Sequence, residues 1–466
     1  MKQENAYTDL LLLKNTYQTK RRKKMAKERV IQFGEGGFLR GFVDYFLYKL
    51  NEKGVWEGKV VIVQPIEKGM CDMLMQQNCE YNLYLRGIEK GEVINERTHI
   101  DVISRCVNPY TENDEYMKLA ENPDFRFIVS NTTEAGIEYL GTEKLEDKPA
   151  KSYPSKLTQL LYKRFTLGLP GFILLPCELI DDNGDNLKKC VLKYAELWNL
   201  GDDFIRWINE ENDFCNTLVD RIVTGYPKDE AEKLWEEIGY KDNLLDTAEI
   251  FHLWVIGGHH EDELPFNKAG YNIVWTDDVK PYKRRKVRIL NGGHTSMVLG
   301  AYLYGLTTVG ECLKDETVSA FLKKCIFDEI IPTLGNTQTD IDFGNAVLER
   351  FSNPFIKHQL LSIALNSVSK FQVRVLPTIL EYKEKFGVYP PALTFSMAAL
   401  IAFYRTDNAN DGEEIVKFMK TASVSEILKR EDYWQKDLSD MIPLVREYYD
   451  LIEKKGMAEA YKAVLN

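Results

Sequence analysis

Val30-Ile31-Gln32-Phe33 is a short apolar run that stops at Gly34-Glu35-Gly36-Gly37, and the apolar positions after it, Phe38, Leu39, Phe42, Val43, Phe46, Leu47 and Leu50, recur at helical spacing. The period therefore changes from strand to helix across a glycine turn. A second apolar run, Val60 to Val63, ends at Gln64-Pro65 and closes a first strand-helix-strand unit. Runs at Phe125 to Val129 and Gly171 to Leu175 end in polar loops, Ser130-Asn131-Thr132-Thr133-Glu134 and Pro176-Cys177-Glu178. Strands alternating with helical patterns predict a parallel sheet covered on both faces, with ligands beyond the strands' carboxyl ends, where those loops lie.

After about residue 285 most segments carry helical spacing: Val298 to Leu306, Val318 to Ile331, Phe355 to Val368, Leu393 to Tyr404 and Asp437 to Ile452. A dinucleotide-binding α/β domain over 30–285 and a mainly α-helical substrate and catalytic domain over 286–466 are expected. No Gly/Ser-rich or Pro-rich linker separates them, so they are expected to pack tightly around the active site. Residues 1–29 read as a mobile leader. Their basic cluster, Lys20 to Lys24, follows the apolar run Leu10 to Leu13, the wrong order for a secretory signal.

Composition narrows the class. Of 466 residues, 44% are hydrophobic and 28% charged, which excludes a largely disordered, collagen-like or coiled-coil chain. Sixty basic against seventy-one acidic residues give a net charge of −11, which repels phosphate backbones and anionic lipid and argues against nucleic acid or membrane as partner. The longest charge-free stretch, Ile289 to Gly310, contains Asn291, His294 and five glycines and makes a poor membrane span. Eight cysteines with no CxxC pair read as scattered buried thiols in a reducing, cytoplasmic setting.

The turn from Gly34 to Gly41 lies where a dinucleotide's pyrophosphate needs close backbone approach and a helix amino terminus. The usual GxGxxG spacing fails there, because Leu39 takes the third glycine position, so a merely tight turn is the competing reading. The second strand ends in neutral Gln64-Pro65-Ile66, followed by Glu67 and Lys68; the lack of an arginine cluster favours NAD over NADP. In the segment Lys286 to His294, Asn291 and His294 share a helix face and Lys286 lies close to it. A lysine, an amide and an imidazole converging on one pocket can donate a proton to a developing alkoxide and hold its oxygen without a metal. The competing reading is a solvated basic face, since Lys283, Arg284, Arg285 and Arg288 surround them.

Gly34-x-Gly36-x-Phe38-x-Arg40 after the first strand, with K-x4-N-x2-H at Lys286, Asn291 and His294, resembles the polyol-specific long-chain dehydrogenases, the mannitol dehydrogenase family. Val219-Asp220-Arg221-Ile222 and the region from Asn353-Pro354 to Leu376-Pro377 also match. Ile31 to Gly36, Asp220 to Pro227, Leu245 to Glu249 and Ala364 to Lys370 are more similar to its keto-uronate-reducing branch. The resemblance implies an N-terminal Rossmann-like domain, NAD as cofactor and a small sugar acid as substrate. It implies Lys286 as general acid/base, Asn291 and His294 on the substrate oxygens, and Asp220 in the substrate pocket. Phe33, Gly34, Gly36, Gly37, Phe38, Arg40, Asn131, Thr132 and Thr133 are the expected cofactor contacts. The family's second oxyanion asparagine is replaced here by leucine in Cys177-Glu178-Leu179, leaving either Asn291 with Lys286 alone or Glu178 with a water.

An anionic substrate needs a buried cation for its carboxylate. Lys370 and Arg374 are the candidates, with Arg221 a third. His252, inside an apolar run, reads as a satisfied core histidine, and Cys177 as packing. His259-His260 lacks a sensibly spaced third ligand, so no metal is expected. The alternatives are a sister uronate reductase, a mannitol-type polyol dehydrogenase, or a dinucleotide-binding protein without catalysis.

Overall fold

The computed structural model describes residues 26–133 and 135–466; most of the expected leader and Glu134 lie outside them. Twelve strands are described: β1 Glu28–Phe33, β2 Lys59–Val63, β3 Tyr81–Glu89, β4 Glu92–Ile100, β5 Ile103–Val107, β6 Phe127–Ser130, β7 Ile173–Pro176, β8 Asp213–Phe214, β9 Thr217–Asp220, β10 Asp246–Glu249, β11 Leu253–Gly257 and β12 Ile273–Thr276. Six form a parallel sheet in the order β5-β2-β1-β6-β7-β8. Val30, Ile62, Val129 and Leu175 point into one apolar core, and Ile31, Val61, Ile128 and Leu174 into another. The continuous apolar runs thus belong to strands buried on both faces, as the pattern predicts.

The chain forms two compact units. Among the described residues, the first is 26–85 with Asn95–Val279; the second is the hairpin tip Arg86–Ile94 with Lys280–Asn466. The second unit is built of helices, including Gly292–Tyr304, Gln338–Phe351, Ser367–Arg374, Leu376–Phe386, Pro391–Phe403 and Ile442–Leu465. Helix Pro391–Phe403 is apolar all round and buried along nearly its whole length, so its neighbours wrap it as a central core element. Among the described residues no helix is long and apolar enough to cross a membrane.

Two expectations need correction. The segment 355–368 is not one helix: Asn353-Pro354 opens a turn, Leu360–Ile363 is a single short turn of helix, and Asn366 adopts φ +52° before Ser367–Arg374 begins. Six cysteines are buried free thiols, but Cys71 and Cys106 form a disulfide. They stand 35 residues apart and meet because helix Cys71–Gln76 packs beside β5, a tertiary juxtaposition that spacing does not announce.

Candidate active site

In the first unit, Gly34 has φ +124°, and a Cβ there would meet the Asn131 carbonyl oxygen at 2.9 Å, so the turn after β1 needs glycine. A Cβ at Gly36 would meet nothing within 4 Å. The turn therefore faces open space while a helical run starts at Gly37 and continues through a π-helical stretch, Arg40–Asp44, into Tyr45–Glu52. Space above a glycine turn at a helix amino terminus suits a dinucleotide's pyrophosphate. Beside it lies a cavity of about 450 Å³ lined by Phe38, Asn131, Thr133, Ala135 and Leu179.

Glu178 braces the loop that supplies Asn131 and Thr133 to that cavity. Its carboxylate is buried and accepts hydrogen bonds from Ser130 Oγ at 3.0 Å, Thr132 N at 2.9 Å and Thr132 Oγ1 at 2.9 Å. Asn131 Nδ2 donates to the Cys177 carbonyl at 2.7 Å, so the loops after β6 and β7 are laced together. Burial pushes the Glu178 carboxyl above its ordinary range, and the Thr132 and Ser130 donors oppose that. With both oxygens engaged, Glu178 is a support for the Asn131–Thr133 loop. Leu179, largely exposed, presents an apolar surface where the resemblance leads one to expect an amide.

Two expected cofactor contacts turn away. The Phe33 ring is fully buried against Tyr116 and Tyr153. Arg40 donates from Nε to the Glu35 carbonyl at 3.1 Å and from Nη1 to the Leu244 carbonyl at 2.6 Å, with Asp246 at 3.9 Å and the Tyr81 ring beneath it. It shapes the turn from inside. Two buried carboxylates that sequence reasoning missed stand here: burial raises Asp44 to about 7 and Asp246 to about 6. Asp246 lies within the motif Leu245 to Glu249, whereas no motif marks Asp44.

Arg221 is a structural cation. It donates to the carbonyls of Phe251, Gly41 and Ile250 at 3.1, 2.8 and 3.2 Å and lies over the rings of Tyr45 and Phe46. Asp220, at the end of β9, is buried. His252 is satisfied as expected, with Nδ1 3.2 Å from the Ile250 carbonyl and Nε2 accepting from Asn272 N; burial lowers it to about 4. The Cys177 thiol is buried, 3.6 Å from the Leu175 carbonyl.

In the second unit, Lys286–Asn291 is a π-helical stretch between helices Lys280–Arg285 and Gly292–Tyr304. Its mark is the Gly292 amide donating to the Val287 carbonyl, five residues back. At about 100° per residue, positions eight apart on a regular α-helix diverge by about 80°. One extra residue in the turn makes the effective separation seven, which brings Lys286 to within about 20° of the His294 direction. The π turn thus aligns three residues that a straight helix would spread. Of the surrounding arginines, Arg288 is buried and Arg285 partly buried, paired with Glu381 at 2.9 Å and Asp340 at 2.7 Å, whereas Arg284, 2.8 Å from Glu381, is exposed.

The His294 ring stacks on Phe351 at 3.8 Å and 3° and meets His358 edge-on at 5.5 Å. Its Nε2 is enclosed and has no hydrogen-bond partner among the described residues. Burial, with His358, Arg350 and Arg374 nearby, holds it well below the usual histidine range, so the imidazole is neutral. Arg350 and His358 are neighbours that the sequence reading missed. A Cβ at Gly292 would meet the Arg374 carbonyl oxygen at 3.0 Å, so this glycine lets helix Ser367–Arg374 close onto the end of the Lys286–Asn291 stretch. Of the expected cations, Lys370 Nζ is spent on the Ile363 carbonyl at 2.9 Å. The half-buried Arg374 guanidinium has no hydrogen bond or ion pair among the described residues, and burial lowers its pKa.

Residues 28–267 match the Mannitol dehydrogenase Rossmann domain and residues 278–462 the Mannitol dehydrogenase C-terminal domain. The chain belongs to the mannitol dehydrogenase family. Members of this family are oxidoreductases acting on CH–OH groups. Among curated relatives, an altronate oxidoreductase of Phocaeicola vulgatus is 46% identical over 95% of this chain and 98% of its own. One from Escherichia coli is also 46% identical, over 93% and 96%. The fold is shared with a substrate-free D-sorbitol dehydrogenase, at TM-score 0.83 and 23% identity over 94% of this chain and 96% of that one. It is shared too with a Pseudomonas fluorescens mannitol 2-dehydrogenase in ternary complex with NAD and D-mannitol, at TM-score 0.70 and 21% identity over 95% of each. Family membership sets aside the non-catalytic alternative.

Proposed function

We propose that this chain interconverts tagaturonate and altronate with NAD as cofactor. The turn Gly34–Gly37, Phe38 and the Asn131–Thr133 loop hold the dinucleotide, which supplies the hydride when bound. Lys286 donates the proton to the reacting oxygen in reduction and removes it in oxidation. Asn291 donates a hydrogen bond to that oxygen, and neutral His294, with Nε2 uncommitted, accepts or donates at a neighbouring hydroxyl. Because Glu178 is already engaged, Asn291 and Lys286 carry the oxyanion by themselves.

What carries the choice of a sugar acid over a neutral polyol is Arg374, a half-buried guanidinium with no partner among the described residues, on the helix that packs against Gly292. A carboxylate is its natural complement, bound through two parallel N–H donors. The names of the 46%-identical relatives support the same substrate class. The experiment is NADH oxidation with tagaturonate, fructuronate and fructose compared by kcat/KM. Tagaturonate is expected to lead, with NADH preferred to NADPH. A lead for fructuronate would make the chain the sister reductase, and a lead for fructose would return the family's polyol activity.

A further inference from the structure

The adjacent histidines His259 and His260 take no part in the chemistry above, and their rings go to different acids. His259 Nε2 is 2.7 Å from Asp277 Oδ1, and His260 Nε2 is 2.7 Å from Asp213 Oδ2. His259 is exposed, whereas the His260 side chain is 19% exposed and lies edge-on to Trp275 at 5.6 Å. A third donor faces the His260 pair. Asp213 starts β8 and Cys215 follows two residues on, so both side chains leave the chain on the same face. Atoms of Asp213, Cys215 and His260 all lie within 4.8 Å of one another. Gly258, at φ +115°, borders them: a Cβ there would sit 3.5 Å from Asp213 Oδ2 and 3.6 Å from Cys215 Sγ.

Donors around a tetrahedral Zn²⁺, at bond lengths of about 2.0 to 2.3 Å, are roughly 3.3 to 3.8 Å apart. Closing this trio onto an ion takes about 1 Å of movement by that geometry. Asp213, whose side chain is 51% exposed, is free to supply it. The far side of the imidazole is arranged as well. His260 Nδ1 is 3.6 Å from Glu263 Oε1, and Glu263 is gripped by Arg126 at 2.7 and 3.0 Å. A carboxylate behind the second ring nitrogen is the support that metal-binding histidines use to fix tautomer and orientation. Arg126, Ile173 and Asp213 lie at the amino ends of β6, β7 and β8, so the cluster is at the opposite end of these strands from Ser130–Thr133 and Pro176–Glu178.

We propose that Asp213, Cys215 and His260 form a binding site for a thiophilic divalent cation such as Zn²⁺, with water completing a four-coordinate shell. Thiolate, imidazole and carboxylate together suit such an ion. Binding releases the Cys215 thiol proton to solvent and replaces the direct His260–Asp213 hydrogen bond with two metal bonds. The ion would tie edge strand β8 to the turn after β11 and stabilise the fold without entering the hydride chemistry.

The test uses the full chain, stripped of metal and titrated with Co²⁺. One equivalent is expected to bind with a thiolate-to-cobalt charge-transfer band, which Zn²⁺ then displaces. Cys215→Ser should abolish the band, while Glu263→Gln should keep it and weaken Co²⁺ affinity about tenfold to a hundredfold. His259→Ala should change neither. Zn²⁺ should raise the melting temperature of the parent chain but not of Cys215→Ser, and chelation should leave turnover intact. Should Cys215→Ser fail to fold by circular dichroism, His260→Gln replaces it, with loss of stoichiometric binding expected. A band that survives Cys215→Ser, substoichiometric Co²⁺ binding by the parent chain, or equal weakening by His259→Ala overturns the proposal.

Discussion

Replacing Glu178 separates two roles that the sequence leaves open, contact with substrate and support of the cofactor loop. In Glu178→Ala, Ser130 Oγ and Thr132 Oγ1 can rotate towards other acceptors, but the Thr132 amide loses its acceptor at 2.9 Å. An unsatisfied buried N–H costs about 1–3 kcal/mol. If the loop must regain its place to hold the dinucleotide, that cost appears in the dissociation constant as a weakening of about fivefold to a hundredfold. Glu178→Gln keeps a carbonyl for the Thr132 amide and offers an NH₂ to Ser130 Oγ, so only charge assistance is lost, about 1 kcal/mol or roughly fivefold. The assay is NADH binding by fluorescence titration, alongside kcat with saturating cofactor. The expected order is parent, Gln, Ala in affinity, with kcat changed less than Kd. Unchanged NADH affinity with collapsed kcat in Glu178→Ala would place the carboxylate on substrate and refute the supporting role.

Lys286→Ala should lower kcat by about a hundredfold to ten-thousandfold with NADH affinity nearly unchanged, read by single-turnover NADH oxidation. Arg374→Met should lower kcat/KM on tagaturonate about tenfold to a hundredfold, since a hydrogen bond to a charged group is worth about 1.5–3 kcal/mol, and leave fructose almost unaffected. Lys370→Met removes a tie to the Ile363 carbonyl and should affect both substrates equally. Asp44 and Asp246, raised by burial to about 7 and about 6, bind protons in the folded state that the unfolded chain has released. Their contribution is present below pH about 4 and lost as pH rises through 6 to 7, so Asp44→Asn should flatten the melting temperature's pH dependence in that window. Identical slopes would count against it.

The parallel sheet was legible because strands buried on both faces must be apolar throughout, as Val60 to Val63 and Gly171 to Leu175 are. The β3–β4 hairpin was not, since Glu92 to His99 is mostly exposed and its polar residues conceal the strand. On the site, the spacing of Lys286, Asn291 and His294 marked the helix, but only backbone geometry reveals the π turn that aligns them. Nor does sequence say which way a long side chain turns. Arg40 and Arg221 stand at the positions expected and point inward to carbonyls, while Lys370 and Arg374, four apart, differ in that only the first finds a partner among the described residues. Phe355 to Val368 misled because Asn353-Pro354 and left-handed Asn366 interrupt an otherwise helical rhythm.

The π-helical stretch at Lys286–Asn291 also makes the site sensitive to residue count in a way that side-chain chemistry does not capture. Adding a single residue there, in regular α-helical winding beyond the one wide turn, would swing everything upstream by about 100° about the axis. Lys286 would keep its identity and its neighbours in sequence, yet face elsewhere. Frame-preserving one-codon insertions in this stretch should therefore be more damaging than most substitutions at the same positions. An equal-length loop elsewhere on the helical unit should tolerate the same edit. The lysine's aim is stored in the counting of the helix, one residue out of step with its surroundings.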